Sequence, residues 1–282
     1  MPALWYFRLM NVIAIANQKG GTAKTTTAAA FAVLLARAGV PTHLVDMDPQ
    51  ASLTSAFGLS DQEGALYSAL SRRAGLPVVA VADNLTLSPS SIDLSRGETQ
   101  FITETGREYI LQMSLQRTKL PESTTVILDC PPSLGVLAVN CLTAASYVCV
   151  VVQPGGFELR TLVHLNETVE IIRHRINPSL TVAGAVITNC HLRRAITDQV
   201  REEVSRQYRI LGQVRAEARL LYATTSGKVY HLTRSQALAD YEKAVHRLRA
   251  VVPWLGTCQE TTSTMQRGSA EASRSTPRRT GE

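Results

Sequence analysis

The chain has 282 residues, 45% hydrophobic and 18% charged, with a formal net charge of +6 at neutral pH. That is the composition of a globular fold, and no apolar run approaches the ~20 residues of a membrane-spanning helix. The small excess of base is compatible with an acidic partner such as nucleic acid but does not require one.

Met1 to Leu9 read as an N-terminal extension, apolar and aromatic, without the charged leader and cleavage site of a signal peptide. Val12 to Ala16 is a short apolar strand, and Thr27 to Ala38 a helix stopped by Gly39. Between them lies Lys19-Gly20-Gly21-Thr22-Ala23-Lys24-Thr25-Thr26. Strand, Gly-containing loop and helix in that order form the context of a phosphate-binding loop, whose backbone N–H groups and helix N-terminus both face the anion. Lys24 then reaches the terminal phosphates and the Thr25 hydroxyl ligates Mg²⁺. The strict pattern G-x-x-x-x-G-K-[ST] fails, because Gln18 and Ala23 replace its glycines. An ordinary strand–turn–helix corner explains neither lysine and neither threonine. A Cβ at Ala23 requires negative φ or a roomy site, since alanine is strained at positive φ.

Thr42 to Asp46 reads as a second strand, continuing into Asp46-Met47-Asp48-Pro49-Gln50. Two apart on a regular strand, Asp46 and Asp48 share one side; one suits a metal's water shell and the other an attacking water. The alternative is a solvated acidic turn closed by Pro49. Further along, Ala65 to Arg73 and Arg107 to Gln116 are helical, Asn84 to Ser88 is an edge strand, and Thr125 to Asp129 is a buried strand. The last ends in Asp129-Cys130-Pro131-Pro132-Ser133, where a single aspartate at a strand's carboxyl end fits the Mg²⁺ shell and the proline pair stiffens the turn.

Helices over Leu134–Ala145, Glu158–Arg175, Ala195–Gln207 and Ser235–Val251 alternate with strands over Tyr147–Val152, Thr181–Thr188 and Ile210–Val214. Continuous apolar strands separated by helices predict an α/β fold of three layers: a mostly parallel twisted sheet with helices on both faces. Residues 10–255 form its domain. Residues 256–282, rich in Ser, Thr, Gln and Arg, are too poor in large apolar side chains to fold and read as a disordered tail. Cys130, Cys141, Cys149, Cys190 and Cys258 are scattered without a C-x-x-C pair, as core thiols in a reducing compartment are.

Together, Asn17 to Thr27, Asp46 to Gln50 and Asp129 to Ser133 resemble the ParA (Soj-like) branch of the ParA/MinD deviant Walker ATPases, in the family's order and approximate spacing. The resemblance spans about Met10 to Val251. It implies a P-loop NTPase fold and ATP with Mg²⁺ as cofactors, bound by residues Lys19 to Thr26, with Thr25, Asp46 and Asp129 near the metal. Lys19 resembles the signature lysine that crosses to the partner's ATP, and Asp48 the carboxylate that activates water. The resemblance further implies an ATP-dependent homodimer, non-specific double-stranded DNA, a ParB-type centromere-binding partner that stimulates slow hydrolysis, a cytoplasmic, nucleoid-associated location and no membrane. A protein cargo, or a nucleotide-gated DNA-binding module with negligible turnover, are the alternatives. Arg193 and Arg219, with Arg194 as neighbour, match the family's DNA-contacting arginines, and Asn189 the segment that contacts adenine. Three departures stand out: Ala23 in place of Gly, Pro154-Gly155-Gly156-Phe157 where an acidic and aromatic pair is usual, and no proline near Arg215.

Overall fold

A computed structural model describes residues 11–59, 65–155, 158–190 and 195–256. The chain runs β1 (Asn11–Ala16), α1 (Lys24–Arg37), β2 (Thr42–Asp46), α2 (Ser52–Ala56), α3 (Ala65–Ser71), β3 (Val79–Ala82), β4 (Leu85–Ser88), α4 (Ser95–Gln100), α5 (Ile110–Arg117) and β5 (Thr125–Asp129). It continues with α6 (Val136–Ala144), β6 (Tyr147–Val152), α7 (Glu158–Arg175), β7 (Thr181–Cys190), α8 (Ala195–Gln207), β8 (Ile210–Arg215), α9 (Ala218–Thr225), α10 (Gln236–Arg249) and α11 (Pro253–Gly256).

Among the described residues the strands form one eight-stranded sheet in the order β3-β4-β2-β5-β1-β6-β7-β8. All neighbours are parallel except β3 and β4. Successive strand residues point to opposite faces. Ile13, Ile15, Leu44 and Ile127 therefore join one core, with Phe31 of α1 and Tyr241 of α10. Val12, Ala14, Val45, Val126 and Leu128 join a second, with Leu66, Leu111, Leu137, Leu165 and Val204 from α3, α5, α6, α7 and α8. This is the expected three-layer architecture. Both faces of the central strands are buried, which is why their sequences are continuously apolar.

The expected edge strand at Asn84 to Ser88 is internal. β4 is flanked by β2 and by β3, and β3 is the edge. β3 is a short, partly exposed Val-Ala-Val-Ala segment joined antiparallel to β4 through Asp83-Asn84, with Asn84 at φ 59°. Four small residues carry too little periodicity to announce a strand, which is why the sequence shows β4 as the edge. α1 ends where expected: Gly39 adopts φ 78°, and the Val40 N–H returns to the Leu35 carbonyl at 3.0 Å.

Cys130, Cys141, Cys149 and Cys190 are free thiols and buried. Among the described residues no helix is long and apolar enough to cross a membrane. The expectations for residues 1–9 and 257–282, and for Arg193 and Arg194, lie outside the described residues.

Candidate nucleotide site

β1, β5 and β2 lie side by side at the centre of the sheet and deliver their carboxyl ends to one place. The loop from β1 is fixed before any ligand arrives. The Asn17 side chain donates to the Val151 carbonyl of β6 and accepts the Lys19 N–H at 2.9 Å. The Thr188 hydroxyl of β7 donates to the Thr22 carbonyl at 2.8 Å. Gly21 takes φ 73°, and a Cβ added at Gly20 or Gly21 would meet nothing within 4 Å. Gly20 and Gly21 are exposed, so no side chain blocks an anion's approach to the main chain of the loop.

Ala23 sits at φ 65°, ψ 31°, in the left-handed region. The negative-φ option is not taken: this alanine adopts the conformation that glycine adopts without strain, at a cost of about 1 kcal/mol. It is held there because α1 must begin at once, with the Thr27 N–H and hydroxyl both donating to the Ala23 carbonyl, at 2.9 and 2.8 Å. The Thr27 hydroxyl also meets Tyr241 Oη at 2.9 Å, tying the loop helix to α10.

Lys24 is 6% exposed, and its ammonium donates to the Lys19 carbonyl at 3.1 Å across the loop. Burial lowers its pKa, against the pull of charge on Asp129 and Asp48. Asp46 and Asp129 are paired in register on β2 and β5, and both are fully buried. Asp46 is committed: Oδ2 accepts the Thr54 N–H and hydroxyl at 2.8 and 2.7 Å, and Oδ1 accepts the Asp48 N–H at 3.2 Å. Burial raises its pKa to about 7, despite those bonds. Neither oxygen of Asp129 closes a hydrogen bond of good geometry within the protein. Burial, then the charge of Asp46, raises its pKa well above the carboxylate range, and the nearby Thr25 hydroxyl and Lys24 only partly offset this.

Val45 and Met47 both join the second core, so Asp46 and Asp48 lie on the opposite face, the side of Leu44. They differ in burial and partner: Asp46, at the end of β2, is buried and anchors α2 through Thr54, while Asp48 lines the cavity and accepts the Gln50 N–H at 2.9 Å. The Met47 N–H still donates to the Asp129 carbonyl at 3.1 Å, so the chain leaves the sheet only after it.

A cavity of about 670 Å³ opens over these strand ends. Gly20 to Thr26 and Asp48 line it together, with Pro132 and Asn189. Asn189, at φ 50°, also donates to the Gln153 amide oxygen at 3.2 Å. The far end is built by residues not assigned to it from sequence: Arg215, Glu217, Leu221, Thr224 and Tyr241. Arg215 is pinned by a two-nitrogen ion pair to Asp240, Nε at 2.6 Å and Nη2 at 3.1 Å. Tyr241 was legible only as an apolar-face helix residue, and nothing in its spacing points into a site. Arg219 is exposed on α9, where its guanidinium donates to the Arg234 carbonyl at 2.7 Å. It is not among the residues that line the cavity.

The residues fit a Mg²⁺-nucleotide. A buried carboxylate with no hydrogen bond of good geometry stands beside a threonine hydroxyl and a lysine at a glycine-containing loop. Among the described residues there is no cluster of three or more His, Cys, Asp or Glu able to hold a metal alone. Mg²⁺ typically binds one or two protein oxygens plus substrate phosphates.

A family model described as an AAA domain matches residues 10–182. The sporulation initiation inhibitor protein Soj of Bacillus subtilis is 36% identical over 203 residues, 70% of this chain and 80% of that protein. The chromosome partitioning protein ParA of Caulobacter vibrioides is 37% identical over 203 residues, 69% of this chain and 75% of its own length. Among solved structures, cobyrinic acid a,c-diamide synthase from Mycobacterium smegmatis, with bound ADP and magnesium, superposes with a TM-score of 0.69 at 31% identity, covering 85% of this chain and 94% of that one. A plasmid partition protein from Borrelia burgdorferi shares the fold, with a TM-score of 0.70 at 24% identity over 84% of this chain and 96% of that one. By these matches the chain belongs to the ParA (Soj-like) branch of the ParA/MinD family of deviant Walker ATPases.

Proposed function

We propose that this chain is a Mg²⁺-dependent partition ATPase that dimerises on ATP, binds DNA without sequence preference and hydrolyses ATP slowly until a ParB-type partner stimulates it. The observation that carries the reading is the convergence of Gly20 to Thr26, Asp48 and, at the adjoining strand end, the buried carboxylate of Asp129 beside Thr25 and Lys24. The relatives' names supply the biological context: ParA is named a chromosome partitioning protein, and Soj of Bacillus subtilis a sporulation initiation inhibitor.

Each residue has a task on this reading. The loop N–H groups from Gly20 to Thr25 hold the phosphate oxygens. Lys24 leaves the Lys19 carbonyl and turns to the terminal phosphates. Thr25 and Asp129 hold the metal's shell, Asp129 partly through water, and Asp46 supports them from the neighbouring strand. Mg²⁺, when bound, offsets the charge that develops on the phosphate oxygens. Asp48 orients the attacking water at the cavity wall. Lys19, at the loop entrance, extends to the partner subunit's nucleotide, so the dimer depends on the triphosphate. Asn189 contacts the base. Arg193, Arg194 and Arg219 contact DNA phosphates, and the protein works in the cytoplasm on the nucleoid.

The test is the release of phosphate from ATP, with Mg²⁺ or with EDTA, with and without DNA and the partner. Slow Mg²⁺-dependent release that DNA and partner accelerate supports the reading. ATP binding with no release under any condition replaces it with a nucleotide-gated binding module.

A further inference from the structure

Helix α6 begins directly after the Asp129-Cys130-Pro131-Pro132-Ser133 segment, and its N-terminal position is Gly135, which has no side chain to cap the free N–H groups. There is also no acidic residue in the first turn. The cap comes from another element. Glu98 of α4 accepts the Val136 N–H on Oε2 at 3.2 Å and the Ser133 hydroxyl on Oε1 at 3.4 Å. Its charge is also favourable at that end of the helix dipole.

Two glycines make this contact possible. A Cβ added at Gly135 would stand 2.2 Å from Glu98 Oε2 and 2.9 Å from Cδ. A Cβ at Gly97, beside Glu98, would meet the Phe101 ring at 2.7 Å and Leu137 of α6 at 3.4 Å. Gly135 itself has φ −75° and ψ −169°, a backbone that any residue adopts. Its lack of a side chain therefore answers to the Glu98 carboxylate and not to its own dihedral angles.

We infer that Glu98 is a positioning residue for the ATPase site: a carboxylate on α4 that holds the segment between Asp129 and α6 in its working place. Val136, whose N–H it accepts, and Ser133, whose hydroxyl makes a longer contact at 3.4 Å, follow Pro132 of the cavity wall, and the same short segment begins at Asp129. With two prolines between them, a shift at Ser133 is passed toward Asp129 instead of being absorbed. The inference rests on the reading that the cavity takes ATP. It adds that a residue outside the phosphate motifs governs how well the site distinguishes ATP from ADP.

The test is a cycle of four proteins: wild type, Glu98→Ala, Gly135→Ala and the double variant, with Glu98→Gln as the conservative control. Each is melted without nucleotide, with Mg²⁺-ADP and with a non-hydrolysable Mg²⁺-ATP analogue, and its ATP turnover is measured. Both single variants are expected to lose most of the extra stabilisation that the ATP analogue gives over ADP. Turnover is expected to fall on the order of ten-fold with KM little changed, the scale of a displaced active-site group. The double variant is expected to match Glu98→Ala, because a methyl at Gly135 displaces nothing once the carboxylate is gone. Glu98→Gln, which keeps an acceptor for the Val136 N–H, should recover part of the difference. Lower melting temperatures with an unchanged gap between ATP analogue and ADP would make Glu98 a plain helix cap and overturn the inference. So would additive effects in the double variant. A wild type stabilised by neither nucleotide would remove the ATP reading, and this inference with it.

Discussion

Asp46 and Asp129 stand opposite each other in register on adjacent strands, equally buried, and in opposite hydrogen-bonding states. Asp46 is saturated by Thr54 and by the Asp48 N–H; Asp129 closes no hydrogen bond of good geometry and has only the nearby Thr25 hydroxyl and Lys24 to offset its burial. Two such groups, one anchored and one open, divide the work of the site. Asp46 fixes where α2 and the Asp48 turn leave the sheet, and on the proposed function Asp129 is the one left to face the metal.

That division has a thermodynamic consequence. Both carboxyls have folded-state pKa values above the ordinary 3.8, chiefly through burial. A raised carboxyl pKa adds stability that is complete below the unfolded value and disappears as pH climbs through the folded one. For Asp46 the window is about pH 4 to about 7. Asp129→Asn removes the ionisable group without changing its shape. The nucleotide-free variant should melt higher than wild type, by more at pH 8 than at pH 5, while Mg²⁺-dependent hydrolysis falls roughly 10- to 100-fold. Melting curves at the two pH values, with turnover at the higher one, check both halves.

His43 runs the other way. It is buried on β2 between the hydroxyls of Thr86 and Ser88, at 2.8 and 2.9 Å, and burial depresses its pKa from 6.5 to about 4. A neutral imidazole therefore supports the fold above pH 6.5, and that support disappears as pH falls toward 4, with a full value of about 3 kcal/mol. Urea unfolding at pH 7.5 and pH 5 should show a smaller loss on acidification for His43→Gln than for wild type. Equal losses would exclude His43 as the source.

Ala23→Gly should stabilise the protein. Relief of a left-handed alanine is worth roughly 1 kcal/mol, less part of that for the added freedom of the unfolded chain. The substitution should also tighten ATP binding, because the loop then reaches its bound shape without strain. Denaturant midpoints and titration with a fluorescent nucleotide measure the two effects separately.

Lys19 and Lys24 should separate by phenotype. Lys24→Ala is expected to abolish nucleotide binding, since it removes the buried ammonium at the loop. Lys19→Ala should leave ATP binding intact and eliminate ATP-dependent dimerisation with its turnover. Light scattering of Lys19→Ala with ATP decides the point, and a normal dimer contradicts the role given to that lysine.

For DNA, Arg193→Ala with Arg219→Ala should weaken binding whatever the sequence, and should reduce the slope of log affinity against log salt by about 2, one for each lost phosphate contact. Gel shifts across a salt series report both quantities. Undiminished affinity at low salt would exclude these arginines as the DNA-facing surface.

The layered sheet was legible because its central strands are buried on both faces, leaving continuous apolar runs such as Val126 to Leu128. The phosphate loop was legible because glycines, lysines and threonines crowd into eight positions between a strand and a helix. Each of these signals is local. β3 escaped notice because Val79 to Ala82 are small and partly exposed, and its pairing with β4 is a tertiary fact. The far wall of the cavity escaped for the same reason. Arg215 and Tyr241 are brought there by the crossing of β8, α9 and α10 and held by Asp240 and Thr27, contacts that no spacing encodes. Ala23 shows the limit from another side: its residue type argued against the conformation that the surrounding bonds impose on it.

Sedimentation of the protein with DNA in the presence of Mg²⁺ and either ADP, ATP or a non-hydrolysable ATP analogue tests most directly the claim that nucleotide state controls DNA binding. The account predicts little protein in the pellet with ADP, substantial pelleting with ATP and the most with the analogue. Equal pelleting in all three states would contradict it.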